Sequence, residues 1–112
     1  MARTARAAQL ATSAGLTEAF TAVDSANGEL MPYNNGRQAL HVKNTGAGAC
    51  TVTVRDPVMI DGQAAPDRTI TVPVTTGDRV IGLQSSVYLQ ADGNVYVDYS
   101  TAVGVTAALV GI

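Results

Sequence analysis

Chemistry in this chain would have to start from His41 and Cys50, the only histidine and the only cysteine. They stand on either side of a glycine-bearing loop in the stretch HVKNTGAGACTVTV at 41–54. Nucleophilic catalysis needs a thiolate, a base within hydrogen-bond reach and a third group to orient that base. Two strands joined by a tight loop could bring the pair together. Two features argue against it. Cys50 starts a strand and does not sit at a helix N-terminus, so no helix dipole activates its thiol. Alternation also puts Cys50 on the apolar face with Val52 and Val54, while His41 points away from Leu40 and Val42. The expectation is a small buried hydrophobe and a solvent-facing imidazole on opposite faces. The loop at 44–49 has the glycines of a phosphate cradle in the wrong context. Such a cradle follows a strand and opens a helix, with its lysine after the glycines. Here Lys43 precedes them and a Thr- and Val-rich strand follows. Gly46 and Gly48 are expected to serve a hairpin connection at positive φ.

The other reactive residue types form no set. Asp56, Asp61 and Asp67 lie along DPVMIDGQAAPDR, and Asp92-Gly93-Asn94 is a further acidic turn. None has the D-x-[DN]-x-[DN]-G spacing of a calcium loop. One histidine and one cysteine supply no zinc ligand set. No carboxylate pair sits among aromatics, and a chain with no Trp and one Phe has little to stack a sugar on. No catalytic, cofactor-binding or metal-binding residue is therefore assigned, and the chain is read as not an enzyme. Tyr96 falls on the outer face between Val95 and Val97. An outward tyrosine there suits either a contact with another chain or cross-strand support of its own sheet.

These residues need elements to hold them. A chain of 112 residues is the size of one domain. Its net charge of −2 argues against general nucleic-acid binding, which wants a basic surface. Charged residues make up 14%, against the usual ~25%, so its wet surface must come from Thr, Ser, Asn and Gln. A lone cysteine supports no disulfide framework, and no run of ~18 apolar residues is present to cross a membrane. Residues 1–15 are rich in Ala, Thr and Ser, with Arg3 and Arg6 as their only charges. They are read as an N-terminal arm, with helical turns possible around Ala5–Ala11.

From Leu16 the period changes to two, and residues 16–112 are read as the folded domain. Leu40 and Val42 alternate with His41 and Lys43, and Val52 and Val54 with Thr51 and Thr53. Ile70, Val72 and Val74 alternate with Thr69, Thr71 and Pro73, and Val95, Val97 and Tyr99 with Asn94, Tyr96 and Asp98. Such alternation marks antiparallel sheets with one wet face. Weaker candidates are Thr17–Val23, Glu29–Met31, Arg79–Leu83, Val87–Gln90 and Val103–Val110. Turn signals recur at Asn27-Gly28, Asn34-Asn35-Gly36, Thr45–Gly48, Asp61-Gly62, Thr76-Gly77-Asp78 and Asp92-Gly93-Asn94, too closely spaced for helical crossovers. The fold class is all-β: an antiparallel β-sandwich or jelly-roll-like barrel of about eight short strands with an irregular N-terminal arm. Pro73 cannot donate to a ladder, so Val72–Val74 belongs at an edge or a bulge. After Asp98 no side chain is charged at neutral pH, so TAVGVTAALVGI is either a central strand or buried against a neighbouring subunit.

Five stretches in order carry a resemblance: GELMP at 28–32, LHVKNTGAGACTVTV at 40–54, DGQAAPDRTITVPVTTGDRVIGL at 61–83, VYLQADGNVYVDYS at 87–100 and VTAALV at 105–110. From about Thr17 to Val110 the chain resembles the small all-β structural proteins of tailed bacteriophages, the capsid decoration (cement) or head proteins. The resemblance implies a β-sandwich or jelly roll on the outer capsid surface of the virion. There it would bind the major capsid protein as a homo-oligomer, with a trimer favoured, and clamp neighbouring capsomers. It implies no nucleic-acid partner, no membrane and no cofactor. Many modest contacts on a lattice would supply the avidity. In that setting Arg3 and Arg6 could dock in an acidic groove of the shell, and Tyr96 could join them as a protein contact. Three other readings stay open. The chain could be a host-surface or carbohydrate-binding module displayed on the particle, or a head–tail connector or tail component. It could also be a cysteine hydrolase using Cys50 and His41.

Overall fold

The computed structural model of the chain describes residues 3–33, 37–57, 59–64, 67–83, 88–90 and 93–111. In chain order the strands are β1 (Thr4–Ala5), β2 (Gln9–Leu10), β3 (Thr21–Ala22), β4 (Glu29–Pro32), β5 (Gln38–Asn44) and β6 (Cys50–Val54). They continue with β7 (Met59–Ile60), β8 (Gln63–Ala64), β9 (Arg68–Val72), β10 (Gly77–Gly82), β11 (Asn94–Tyr99) and β12 (Val105–Gly111). One sheet runs β1-β4-β11-β6-β9, and the other runs β10-β5-β12-β2, with β3 also paired to β12. The two sheets face each other as a β-sandwich, with β7 and β8 as a separate hairpin.

The period of two builds the core. Along β5, β6 and β11 every second residue is buried, so Leu40, Val42, Cys50, Val52, Val54, Val95, Val97 and Tyr99 meet in one cluster. Each buried Val or Leu contributes roughly 1.5–3 kcal/mol through the apolar surface it removes from water. The alternate residues, His41, Lys43, Thr51, Thr53, Tyr96 and Asp98, face outward and are half-buried. The terminal strand is central: β12 lies between β5 on one side and β2 and β3 on the other. Neighbours on both edges explain how an uncharged strand is tolerated at the end of the chain.

Four expectations need correction. First, the strands flanking the 44–49 loop do not form a hairpin, since β5 belongs to one sheet and β6 to the other. The reason is packing: Leu40 and Val42 must face Cys50, Val52 and Val54 through the core, and only a connection that changes sheets allows it. Gly46 and Gly48 are not at positive φ. Gly46 is needed for proximity, because a Cβ there would lie 2.5 Å from the Val103 carbonyl oxygen. The 102–104 turn passes just behind it, with Gly104 at φ 72° and its own Cβ position 2.5 Å from the Gly46 nitrogen. Hydrogen bonds from Thr45 N to Gly104 O (2.9 Å) and Thr75 N to Gly46 O (2.9 Å) tie these loops together. Asn44, fully buried, closes the turn through Gly46 N (2.9 Å) and Gly48 O (2.8 Å).

Second, β9 ends at Val72, and Val74 lies beyond it with 42% of its surface exposed. Pro73 stands just past an edge strand, as its missing N–H requires. Third, the turn read at Thr76-Gly77-Asp78 lies earlier in the chain: β10 already begins at Gly77, and the left-handed residue before it is Thr75 (φ 64°). Gly77 is needed because a Cβ there would overlap the Pro73 carbonyl. By contrast Asp61 and Gly62, both at positive φ, form the two-residue β7–β8 turn that their sequence suggests. Fourth, no helix forms at Ala5–Ala11. The arm is extended, β1 pairing parallel with β4 and β2 parallel with β12. Main-chain pairing to two open sheet edges outcompetes the helix propensity of alanine in so short a segment. The Asn34-Asn35-Gly36 turn, Val87 and Asp92 lie outside the described residues. Of the Val87–Gln90 candidate, Leu89 makes an isolated bridge to Val95.

Candidate functional site: an arginine socket beneath the arm

The arm leaves one sheet at β1 and joins the other at β2, crossing the open side of the sandwich at Arg6. Glu29 lies below it. Alternation along β4 puts Glu29 on the face of Met31, so this carboxylate points into the core and is only 1% exposed. A buried charge needs a partner of opposite sign and full hydrogen bonding. Arg6 supplies both through a two-pronged contact, Nε to Oε1 at 2.8 Å and an NH2 nitrogen to Oε2 at 2.8 Å. The Tyr99 hydroxyl donates to Oε1 at 2.7 Å, and the Asp24 amide donates to Oε2 at 3.2 Å. The rest of the guanidinium is used as fully. Its NH1 donates to Thr21 Oγ1 and to the Ala107 carbonyl, both at 2.8 Å, and its NH2 to the Ala22 carbonyl at 3.3 Å. One side chain therefore joins the arm to β3, β4 and β12, and through Glu29 to β11.

The electrostatics follow from this geometry. Burial pushes the Tyr99 phenol far above the usual tyrosine range; the neighbouring Glu29 charge and the hydrogen bond to it act in the same direction. Burial alone would lower the Arg6 pKa, but the Glu29 carboxylate outweighs it and the net shift is upward. Asp24 is held below the usual carboxylate range by the Thr4 hydroxyl, which donates to it at 2.5 Å, and by the amides of Asn27. A cleft of about 420 Å³ beside Arg6 and Glu29 is lined by arm and body residues, and Thr4 and Gln9 bridge it through hydrogen bonds to Asp24 and Ala19.

Arg3 is engaged on the outside of the same sheet. It donates to Asp98 at 2.7 and 3.3 Å, and its guanidinium lies 4.6 Å from the centre of the Tyr96 ring. Asp98 also faces Arg55 (3.6 Å), which pairs with Asp67 (3.2 Å). Arg3, Arg6 and Tyr96 thus all sit where the arm meets the sandwich, and both arginines are held by acids of their own chain.

His41 and Cys50 are not brought together. Cys50 is sealed in the core, its thiol directed at the Thr101 carbonyl (3.5 Å). His41 lies on the outer face of the other sheet between two carboxylates, with Nδ1 3.1 Å from Glu18 and Nε2 2.5 Å from Asp78. Phe20 packs edge-on against its ring, and Lys43 Nζ lies over the Phe20 ring at 4.5 Å. With each ring nitrogen facing a carboxylate, the imidazole is not directed at Cys50. It acts as a clasp holding the 18–20 segment against β5. Among the described residues no group of three or more His, Cys, Asp or Glu is placed to hold a metal ion.

The chain matches no protein-family model, no curated protein and no solved structure. Sequence reasoning singled out Arg6 but missed Glu29 and Tyr99 as its partners. The signal was present: Glu29 shares a face with Met31, and a carboxylate on a core face demands a cation.

Proposed function

We propose that this protein is a virion structural component of the decoration or cement kind. It would bind the outer surface of a bacteriophage head through the major capsid protein, as a homo-oligomer, and stabilise capsomer contacts. The observation that carries this reading is where the charge goes. Arg3, Arg6, Glu29, Asp98, Glu18 and His41 are all spent on fixing the N-terminal twenty residues to the sandwich. What remains is a braced slab of 42 × 36 × 23 Å with Thr51, Thr53, Thr69, Thr71 and Thr106 among its outward strand positions. Such a body suits broad, flat contacts. The resemblance in strands and turns to phage head proteins supports the same conclusion.

The test is to image heads assembled with and without this chain by electron microscopy and to heat both. Regular density on the outer surface and a higher disassembly temperature are the expected result. Equal heat resistance with no ordered density would overturn it. Density at the portal vertex or along the tail would assign the chain to a connector or tail role instead.

A further inference from the structure

We propose that the pocket around Glu29 and Tyr99 is an exchange site for an arginine-bearing strand, and that it takes the arm of a second copy of this chain. The inference rests on the socket and the arm alone, not on any role in a capsid.

The socket is built on the body of the protein. Its carboxylate is 1% exposed, its phenol is 4% exposed, and the carbonyls of Ala22 and Ala107 point into it. These groups recognise a guanidinium by shape, because the five N–H donors of Arg6 each find an acceptor. Elsewhere the arm is held by more exposed contacts: the Arg3–Asp98 pair, the Thr4–Asp24 hydrogen bond and two hydrogen bonds between the Gln9 side chain and the Ala19 backbone. β1 and β2 are two residues each, Leu10 is 59% exposed, and the cleft runs between arm and body. Residues 11–15 are exposed throughout and turn through Gly15 at φ 93°. They form the hinge. Straightening that turn would carry the arm away from its own body with every arm contact able to re-form on a neighbour.

Exchange of this kind conserves the contacts. Its balance is set by the hinge and by the concentration of neighbours. A chain's own arm acts at an effective concentration on the order of mM. Copies held side by side on a surface reach the same range, so crowding of the chain is what would shift the balance toward swapped arms. The guanidinium passes from one socket to an identical one, and no buried charge is left without a partner in the final state.

Two broken full-length chains test this. Arg6→Ala spoils the arm and leaves the socket intact. Glu29→Gln spoils the socket and leaves the arm intact. Refolded together at high concentration, an exchanging pair restores one complete Arg6–Glu29 socket per dimer. The expected result is a 1:1 heterodimer by native mass spectrometry that melts roughly 5–10 °C above either parent. If a parent does not fold alone, recovery of folded protein only on co-refolding is the expected result. Replacing the Arg6→Ala chain by one carrying both changes must abolish the gain. Parents that remain separate, melt as a simple superposition or fail to rescue each other would overturn the proposal.

Discussion

Replacing Arg6 by alanine should be among the most damaging single changes available in this chain, although the residue lies only six positions from its start. Its removal leaves Glu29, 1% exposed, with the Tyr99 hydroxyl and the Asp24 amide as its remaining partners. Breaking a buried pair from one side costs about 3–5 kcal/mol, because the other charge stays desolvated. The Thr21, Ala22 and Ala107 oxygens lose a donor as well, though water entering the adjoining cleft can replace some of it. Against a total stability of roughly 5–15 kcal/mol the loss is severe. In urea, with a slope of about 1–3 kcal/mol per M, the midpoint should fall by about 2 M. Glu29→Gln should cost somewhat less, since a neutral amide tolerates burial better. The combined change Arg6→Met, Glu29→Leu and Tyr99→Phe removes every charged member together. It should recover most of the loss, to within about 2 kcal/mol of the parent. Urea unfolding followed by circular dichroism at low protein concentration measures all of these. An Arg6→Ala chain within about 1 kcal/mol of the parent would refute the socket as the anchor of the arm.

Three further outcomes follow from the same structure. Because Tyr99 stays neutral in the folded state well above the ordinary tyrosine value of about 10, its contribution is complete below that pH and is lost as pH rises past it. Alkaline unfolding should therefore coincide with a tyrosinate absorbance step of one residue that Tyr99→Phe removes; that Tyr99-dependent step appearing while the circular dichroism is still native would contradict this. Thr75→Asn should raise stability by roughly 0.5–1 kcal/mol, since a β-branched residue at φ 64° is strained and asparagine accepts that conformation; an unchanged or lower urea midpoint counts against it. Gly104→Ala should cost about 2 kcal/mol or more, as it combines φ 72° with a Cβ 2.5 Å from the Gly46 nitrogen, and a thermal melt within a degree of the parent would show that the loop crossing yields.

The sandwich was legible because burial follows alternation. Leu40, Val42, Val52, Val54, Val95 and Val97 all face the core where a period of two puts them. Sheet membership was not. Val42 and Val52 have the same local pattern whether β5 and β6 pair or stack, and only the demand for two facing apolar surfaces decides between those arrangements. The arm misled because Ala5–Ala11 was judged by helix propensity, whereas two sheet edges with unpaired carbonyls were waiting for it. The outward position of His41 was readable, but its two carboxylates come from Glu18 and Asp78, distant in sequence, and no spacing rule links them. The requirement for Gly46 was invisible for the same reason, since its constraint comes from Val103.

The arm poses a question that its charges help to answer. A basic arm docking in an acidic groove of a partner must first give up what it already holds, and Arg6 would abandon a carboxylate that is only 1% exposed. A partner would have to offer an equally complete socket to compensate, which a generic acidic patch does not. Arg3 is different: its side chain is 21% exposed, and its pair with Asp98 lies at the surface, where an ion pair contributes only about 0–1 kcal/mol. A foreign surface can therefore compete for Arg3 at little cost, whereas for Arg6 the fitting replacement is another Glu29 with its own Tyr99. Contacts made through Arg3 should weaken with salt, as surface pairs do. A link made through Arg6 should persist in the same salt, because its charges meet out of reach of mobile ions. An association of this chain that dissolves entirely at about 1 M salt, where screening acts within ~3 Å, would place Arg3 and not Arg6 at the joint.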